Sequence, residues 1–328
     1  MLAARLGLAS WTIALAAGET PRLPIDTLAA DFGLVAPPGL HAAGAAPGTP
    51  DSARLALGRA LFFDPVLSGD RTIACASCHR PDHGFADPVP YSLGVRGQTA
   101  LRHTPSLLNR GLGEYFSWTG QAMTLREQVL LPIHNQIEMD LGFEEIAPRL
   151  RGDPRFGPAF EAAFGRPATI TDTGDALATF VERIWIGDSA VDRFQSGDFD
   201  ALNESERAGL WLYESKAGCW RCHAGRNYTD EDFHATGVGA REGRALPGRF
   251  EITGEDSDRG RFKTPTLRGL ALTAPYMHDG GLATLEDVVA FYRRGGNPIA
   301  ERDERLAPLE MTDAEALNLA AFLRALSR

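Results

Sequence analysis

The sequence predicts a mainly helical protein in which one unit occurs twice, with long loops and little strand. Three observations predict it. Amphipathic segments with capping residues recur along the chain, a Cys-x-x-Cys-His pentapeptide follows one such segment in each half, and 35 Gly and 21 Pro fall mostly in the stretches between.

The elements follow in order. "MLAARLGLASWTIALAAGET" carries Arg5, an apolar run from Leu6 to Ala17 and an Ala-Leu-Ala exit at 14–16. It reads as a secretory signal over residues 1–17, the alternative being a frayed N-terminal helix. The run is too short to span a bilayer, and no later segment is long and apolar enough. Residues 18–50, including Pro- and Gly-rich "GLVAPPGLHAAGAAPGTPDS" (33–52) and His41, read as a flexible leader. The first unit, 51–200, opens with the helix "SARLALGRALFFD" (52–64) before "CASCH" (75–79) and closes with "GDALATFVERIWIG" (174–187). The second, 201–328, opens with "SERAGLWLYESKAG" (205–218), capped by Asn203 or Ser205, before "CWRCH" (219–223). It closes with "TDAEALNLAAFLRALS" (312–327), where Thr312 and Glu315 make a capping box. Between these lies "TLEDVVAFYRRGG" (284–296), with Thr284 and Asp287 at its start and Gly295 at its end. Its stripe of Leu285, Val288, Val289 and Tyr292 turns Tyr292 inward. Read by itself, that tyrosine is a core residue with its hydroxyl on a carbonyl.

Composition narrows the function classes. With 328 residues the chain suits one large or two ordinary domains, and 23% charged and 44% hydrophobic residues are ordinary for a globular protein. A formal net charge of −10 and no Lys/Arg-rich run argue against nucleic acid as a partner.

All four cysteines lie in the two pentapeptides: Cys75, Cys78 with His79, and Cys219, Cys222 with His223. A four-sulfur zinc site would join pairs 141 residues apart, wider than zinc ribbons use. A redox dithiol does not require a His after the second Cys. Covalent c-type haem requires both features: two thiols to bond the haem edge and a following His as proximal iron ligand. The sequence therefore predicts two covalent c-type haems. Helix, motif, loops and closing helix is the pattern of a small cytochrome c, so the fold expected is two cytochrome c-like haem domains, with export.

The chain resembles the bacterial di-haem cytochrome c peroxidase and MauG family over nearly everything after residue 50. The stretches that carry the resemblance are "LGRALFFDPVLSGDRTIACASCH" (57–79), "RHTPSLLNR" (102–110), "FSWTGQAMTLREQVLLPIHNQIEM" (116–139) and "FKTPTLRGLALTAPYMHDGGLATLEDVVAFY" (262–292), with both pentapeptides. The resemblance implies that the third stretch lies over a peroxide-binding first haem. Glu138 is then the acid/base for peroxide cleavage, Gln128 holds the hydrogen bonds there, Pro132 shapes the site, and Trp118 relays electrons between the haems. Read without it, Glu138 is one of 43 acidic residues and Trp118 a buried aromatic.

Two departures from the ordinary peroxidase pattern matter. The loop that carries a capping His there reads "SLGVRG" (92–97) here, with Val95 at the His position, and valine cannot bind iron. His83 and His103 are the nearby substitutes. The usual Met ligand of the second haem stands fourteen residues after the His of "HDG"; fourteen after His278 stands Tyr292. The MauG-like branch (MauG and MbnH) also has Tyr there. Thioether sulfur favours ferrous iron, whereas phenolate favours the oxidised metal and lowers its potential. Met277 is the rival ligand, and His278 is implied to be a hydrogen-bond donor beside the haems. The family also binds calcium through carbonyls matching Thr273 and Pro275 and an Asn side chain, where this chain has His103, a poor calcium ligand. His134 and His234 read as ordinary polar or core residues.

The function the resemblance implies is that of a periplasmic MauG-like oxidoreductase. Hydrogen peroxide would produce a high-valent di-haem state that oxidises a Trp or Tyr of a partner protein. Branches of the family act in this way to build tryptophan tryptophylquinone in methylamine dehydrogenase or to convert a partner's tryptophan to kynurenine. MauG's exit tryptophan matches Ala217 here, with Trp220 nearby. Two alternatives stand beside it: a peroxidase reducing peroxide to water with a small soluble donor, and a non-enzymatic di-haem electron carrier.

Overall fold

Each half begins with a capped helix crossed closely by a second one. The computed structural model describes Leu40 and residues 51–327, so the expected signal and nearly all of the leader lie outside the described residues. Helix α1, Ser52–Phe63, starts where the Asp51 carboxylate accepts from the Ala53 and Arg54 amides, and buries Leu57, Gly58, Leu61 and Phe62. The first motif forms the single turn α2, Cys75–Cys78. Further on come α3, Leu125–His134, with Pro132 inside it; α4, Phe143–Gly152; α5, Phe156–Phe164; and α6, Ile170–Val181, which packs on α1.

The second half repeats this plan. Helix α7, Ala190–Gln195, leads to α8, Glu204–Glu214, capped by Asn203. Then come the short α9, Phe250–Thr253, α10, Leu285–Arg293, and α11, Asp313–Ala325, which packs on α8. The described residues hold one sheet, of two antiparallel strands, β1 (Phe233–Ala235) and β2 (Arg261–Lys263), with Phe233 opposite Lys263. The protein is mainly helical, as expected. Its buried apolar residues fall into two large clusters, one spanning 57–184 and the other 190–326.

Two helices differ in extent from the sequence expectation. The closing helix expected over 174–187 is α6, which begins earlier because Thr169 caps it, its hydroxyl accepting from the Asp172 amide. It ends earlier because Asn109 takes over the backbone beyond it. The Asn109 amides donate to the Ile184 and Ile186 carbonyls, and its side-chain oxygen accepts from the Ile186 amide. The helix expected to run to 218 stops at Glu214, and Gly218, at φ 62°, turns the chain into the second motif.

Between the motifs and their closing helices the halves match at a spacing of 160 residues. "HTPSL" (103–107) pairs with "KTPTL" (263–267), the Phe116–Ala122 bridge with the Tyr276–Leu282 bridge, and the Thr124–Glu127 capping box with Thr284–Asp287. Left-handed backbone recurs at the same spacing: Ser117 (φ 66°) with Met277 (φ 73°), and Gly120 (φ 68°) with Gly280 (φ 61°). These two strips meet where the His103 amide donates to the His278 carbonyl and the Lys263 amide to the Trp118 carbonyl.

Candidate active site

Both pentapeptides open on one cavity of about 860 Å³. Each His in them is held by the same device. The His79 Nδ1–H donates to the Phe85 carbonyl at 3.0 Å, and the His223 Nδ1–H to the Tyr228 carbonyl at 3.1 Å. Phe85 and Tyr228 both adopt left-handed backbone, φ 55° and 51°, in the turn that brings the carbonyl back. With Nδ1 occupied as a donor, Nε2 keeps its lone pair, the tautomer an iron ligand needs. Burial lowers the basicity of both rings, pushing His223 down to about 4, so both stay neutral.

The thiols also suit haem attachment. Burial pushes Cys75 and Cys219 up to about 12 and Cys78 to about 11, the reverse of a reactive redox dithiol. The four sulfurs do not gather into a zinc site. Among the described residues the one potential metal cluster is Cys222, Asp230 and His234, whose ligand atoms lie within 4.8 Å of one another. The cavity walls carry six cations, Arg102, Arg110, Arg221, Lys263, Arg268 and Arg305, against the carboxylates Glu138 and Asp303. On a chain of net charge −10 that is a local reversal, and it suits the propionates of haem. Two buried polar atoms on these walls lack a protein partner, Gln128 Oε1 and His278 Nε2. An apolar-lined cavity with cationic walls, neutral imidazoles and orphaned polar atoms fits covalent haem.

Every residue proposed for the chemistry lines this cavity. Glu138, Gln128, Pro132 and Trp118 do so from the first half, and Tyr292, Met277, His278, Thr273 and Pro275 from the second. Burial raises the Glu138 carboxyl above its ordinary range against the hydrogen bond it accepts from Asn135 Nδ2 at 2.9 Å. The segment is fixed from outside. The Val95 amide donates to the Glu138 carbonyl at 2.8 Å, Arg96 pairs with Asp140 at 2.8 Å, and Gln98 Nε2 donates to the Gln136 carbonyl at 3.0 Å. Val95 itself is fully buried and is not on the cavity wall. Trp118 Nε1 donates to the His103 carbonyl at 2.7 Å, and its ring meets His278 edge-on at 6.3 Å between centroids. His278 stacks on Phe262 at 3.6 Å, and burial holds its ring neutral, near about 4.

Tyr292 lies on the last turn of α10, with burial pushing its hydroxyl well above the usual phenol range beside Cys219 and Cys222. A bound metal ion reverses such a shift. At the 160-residue spacing its counterpart in the first half is Pro132, which carries no donor. Of the substitute histidines, His83 is absent from the cavity wall, and His103 reaches it with Nδ1 donating to the Val89 carbonyl at 3.1 Å. His103 offers a ring nitrogen where calcium takes oxygen, so the calcium expectation rests on the Thr273 and Pro275 carbonyls alone. Trp220 is half exposed, and Ala217 lines the cavity.

Several groups on these walls escaped the sequence reading. Arg110 and Lys263, from opposite halves, meet on Glu231 at 2.9 and 3.1 Å. Burial opposes the Glu231 charge, but the two cations hold it at about 2. Burial pulls Lys263 down to about 8. His234, which reads from the sequence as an ordinary polar or core residue, is buried and stands between Asp230 (2.9 Å) and Asp303 (2.8 Å), with Arg305 also on Asp303. The pairing spans 69 residues, and no local spacing announces it.

Comparison with known proteins agrees with this geometry. The sequence profile of the di-haem cytochrome c peroxidase family matches residues 52–200. The chain is 37% identical to the methylamine utilization protein MauG of Methylorubrum extorquens, across 85% of this chain and 79% of that one. It is also 37% identical to the cytochrome c551 peroxidase of Nitrosomonas europaea, across 74% of this chain and 73% of that one. Among solved structures, a MauG-like protein associated with microbial copper homeostasis superposes with a TM-score of 0.79 at 30% identity, covering 97% of this chain and 96% of that one.

Proposed function

Because the chain belongs to the di-haem cytochrome c peroxidase and MauG family and carries two covalent c-type haems, we propose that it is an exported, periplasmic MauG-like enzyme. In this reading it uses hydrogen peroxide to oxidise a tryptophan or tyrosine of a partner protein. The first haem is assigned to residues 51–200, on Cys75, Cys78 and His79, and the second to 201–328, on Cys219, Cys222, His223 and Tyr292. The two apolar clusters support two units but put α7 with the second, since Ala190 and Val191 pack in the cluster that runs to 326.

One observation carries the reading: the halves place Pro132 and Tyr292 at equivalent positions of the same cavity. Tyr292 would thereby be available to hold the second haem, while the equivalent place in the first half offers no donor. Iron porphyrin with an open face supplies peroxide binding and takes up its oxidising equivalents. The chain supplies the rest. Glu138, its carboxyl raised toward neutral pH by burial, takes a proton from one peroxide oxygen and returns it to the other. The free Gln128 Oε1 orients that proton. The clamp from Val95, Arg96 and Gln98 keeps Glu138 in place without a mobile ligand to displace. Trp118, anchored through Nε1, stands on the wall common to both motifs and suits electron relay.

A second reading is favoured by the equal identity to a cytochrome c551 peroxidase: reduction of peroxide to water by a small soluble donor. The two separate in one assay. Holoprotein is given peroxide with and without reduced cytochrome c or azurin. The proposed function expects slow donor turnover and, with no donor, an oxidised spectrum that persists; Tyr292→Met should shorten that persistence. Brisk turnover of the native protein with either donor would overturn it.

A further inference from the structure

Each motif is followed by a carboxylate, eight residues after the haem histidine in the first half and seven in the second, and the halves treat that carboxylate differently. "FAD" (85–87) corresponds to "YTD" (228–230): its first residue gives the carbonyl that orients the haem histidine, and its third gives the carboxylate. In the first half Asp87, 7% exposed, accepts from the Ser92 hydroxyl at 2.6 Å, and Ser92 shares a hydrogen bond with Thr104 at 2.7 Å. Both partners are neutral. In the second half Asp230 meets a ring nitrogen of His234 at 2.9 Å, and the other ring nitrogen meets Asp303 at 2.8 Å. A carboxylate oxygen can only accept, so these two partners favour donation from both ring nitrogens and hold His234 as an imidazolium, while Arg305 Nη2, 2.8 Å from the same Nδ1, can only donate and works against it. Arg305 closes the cluster through two bonds to Asp303, 2.9 and 2.8 Å. The His234 side chain is 7% exposed, and Cys222 Sγ lies within 4.8 Å of it and of Asp230.

A metal ion is not what this cluster holds. Once Cys222 is bonded to haem it offers a thioether in place of a thiolate, and each His234 nitrogen already faces a carboxylate, so the cluster lacks the anionic sulfur and free ring nitrogen that a metal ion would take. What remains is charge. Beside the second haem two carboxylates are balanced by two directly bonded cations, while beside the first Asp87 is bonded by the Ser92 hydroxyl and has Arg80 only as a charge acting through space, with Glu138 on the same cavity wall.

We propose that the Asp230–His234–Asp303–Arg305 cluster, built round the buried His234, tunes the second haem, its His234 cation raising that haem's electron affinity against the phenolate ligand assigned above. A phenolate ligand and an uncompensated carboxylate act in the same direction, toward the oxidised metal. Without His234 the second haem would carry both and would fall well below the first. With His234 the two haems come closer in electron affinity, which oxidising equivalents shared between them require. This deepens the proposed function, since it takes Tyr292 as the ligand, but the charges at Cys222 act whichever ligand is there. His234 is a positioning residue in this account: it touches the thioether side of the motif and not the reacting atoms.

The test is potentiometric titration of the holoprotein, each ferric haem taking one electron from dithionite through mediators, with the two haems resolved spectroscopically. His234→Gln leaves Asp230 and Asp303 with one cation fewer. At fixed potential the ferric-to-ferrous ratio of the second haem should rise about tenfold, the order expected of one unit charge at a partly buried site. Asp230→Asn should move the same ratio in the opposite direction, and Asp87→Asn should lower it for the first haem alone. Opposite signs from two substitutions in one cluster are not produced by loosened packing. Shifts below twofold, or a His234→Gln shift in the same direction as Asp230→Asn, overturn the proposal. If His234→Gln does not load haem, Asp230→Asn and Asp303→Asn carry the same test, both predicted to lower the ratio. The ferric EPR spectrum of each variant reads the ligands separately. Failure of the Tyr292 assignment therefore shows as an altered ligand signature in the native protein, and not as a missing charge effect.

Discussion

The two halves of this protein share one scaffold and differ at single positions laid over it. Helix α1 meets α6 through Gly58, whose added Cβ would lie 1.9 Å from the Ala176 carbonyl oxygen; α8 meets α11 through Gly209, 2.0 Å from that of Asn318. Both haem histidines are turned by the carbonyl of an aromatic residue with left-handed backbone. Against that common frame, Pro132 stands opposite Tyr292, Trp118 opposite His278, His103 opposite Lys263, and Asp87 with Ser92 opposite Asp230 with His234. Function follows from the substituted positions and stability from the shared ones. In the proposed function, one scaffold would thus supply an open site with an acid/base group and a closed site with an anionic ligand.

The largest expected effect breaks the comparison at its chemistry. Glu138→Gln keeps the shape and the Asn135 contact while removing the proton acceptor, so the peroxide reaction should slow by about 10²–10⁴-fold. Stopped-flow mixing with peroxide measures it, with haem content unchanged. A Glu138→Gln enzyme at native speed would move the acid/base role elsewhere.

A smaller effect tests the scaffold. Gly58→Ala and Gly209→Ala each force a methyl group against a neighbouring backbone carbonyl, at a cost of about 1–3 kcal/mol. Urea unfolding should show the two losses to be similar. If only one substitution destabilises, the helix crossings are not equivalent.

The smallest effect concerns pH and belongs to the second half alone. His234 is raised from 6.5 to about 10: burial works against its charge, and Asp230 foremost outweighs that. A raised basic group contributes fully below its unfolded value and loses its contribution as pH climbs through the folded one. The stability gap between the native protein and His234→Gln should hold at pH 6 and close by about pH 10. On the acid side Asp230, lowered from 3.8 to about 2, contributes above 3.8 and loses its share as pH falls toward 2. Unfolding midpoints across this range check both limbs. A gap that is independent of pH would mean His234 carries no charge in the fold.

How much of this the sequence revealed depends on the range of each interaction. The pentapeptides, the capping boxes at Thr284 and Thr312, and the inward face of Tyr292 are local patterns, and they were legible. The early end of α6 was not, because it depends on Asn109 bonding to Ile184 and Ile186 from the far side of the domain. The His234 cluster was hidden for the same reason, since Asp303 reaches it from 69 residues away. Its one local trace was the carboxylate two residues after the orienting aromatic in both halves. Arg110, Glu231 and Lys263 join opposite halves, a contact that exists only once both are folded.

The central claim is that the first haem is open and the second closed by Tyr292. The EPR spectrum of the as-isolated ferric holoprotein tests it most directly. The account predicts one high-spin and one low-spin signal, with the low-spin signal altered in Tyr292→Met and the high-spin one untouched. Two low-spin signals in the native protein would contradict it.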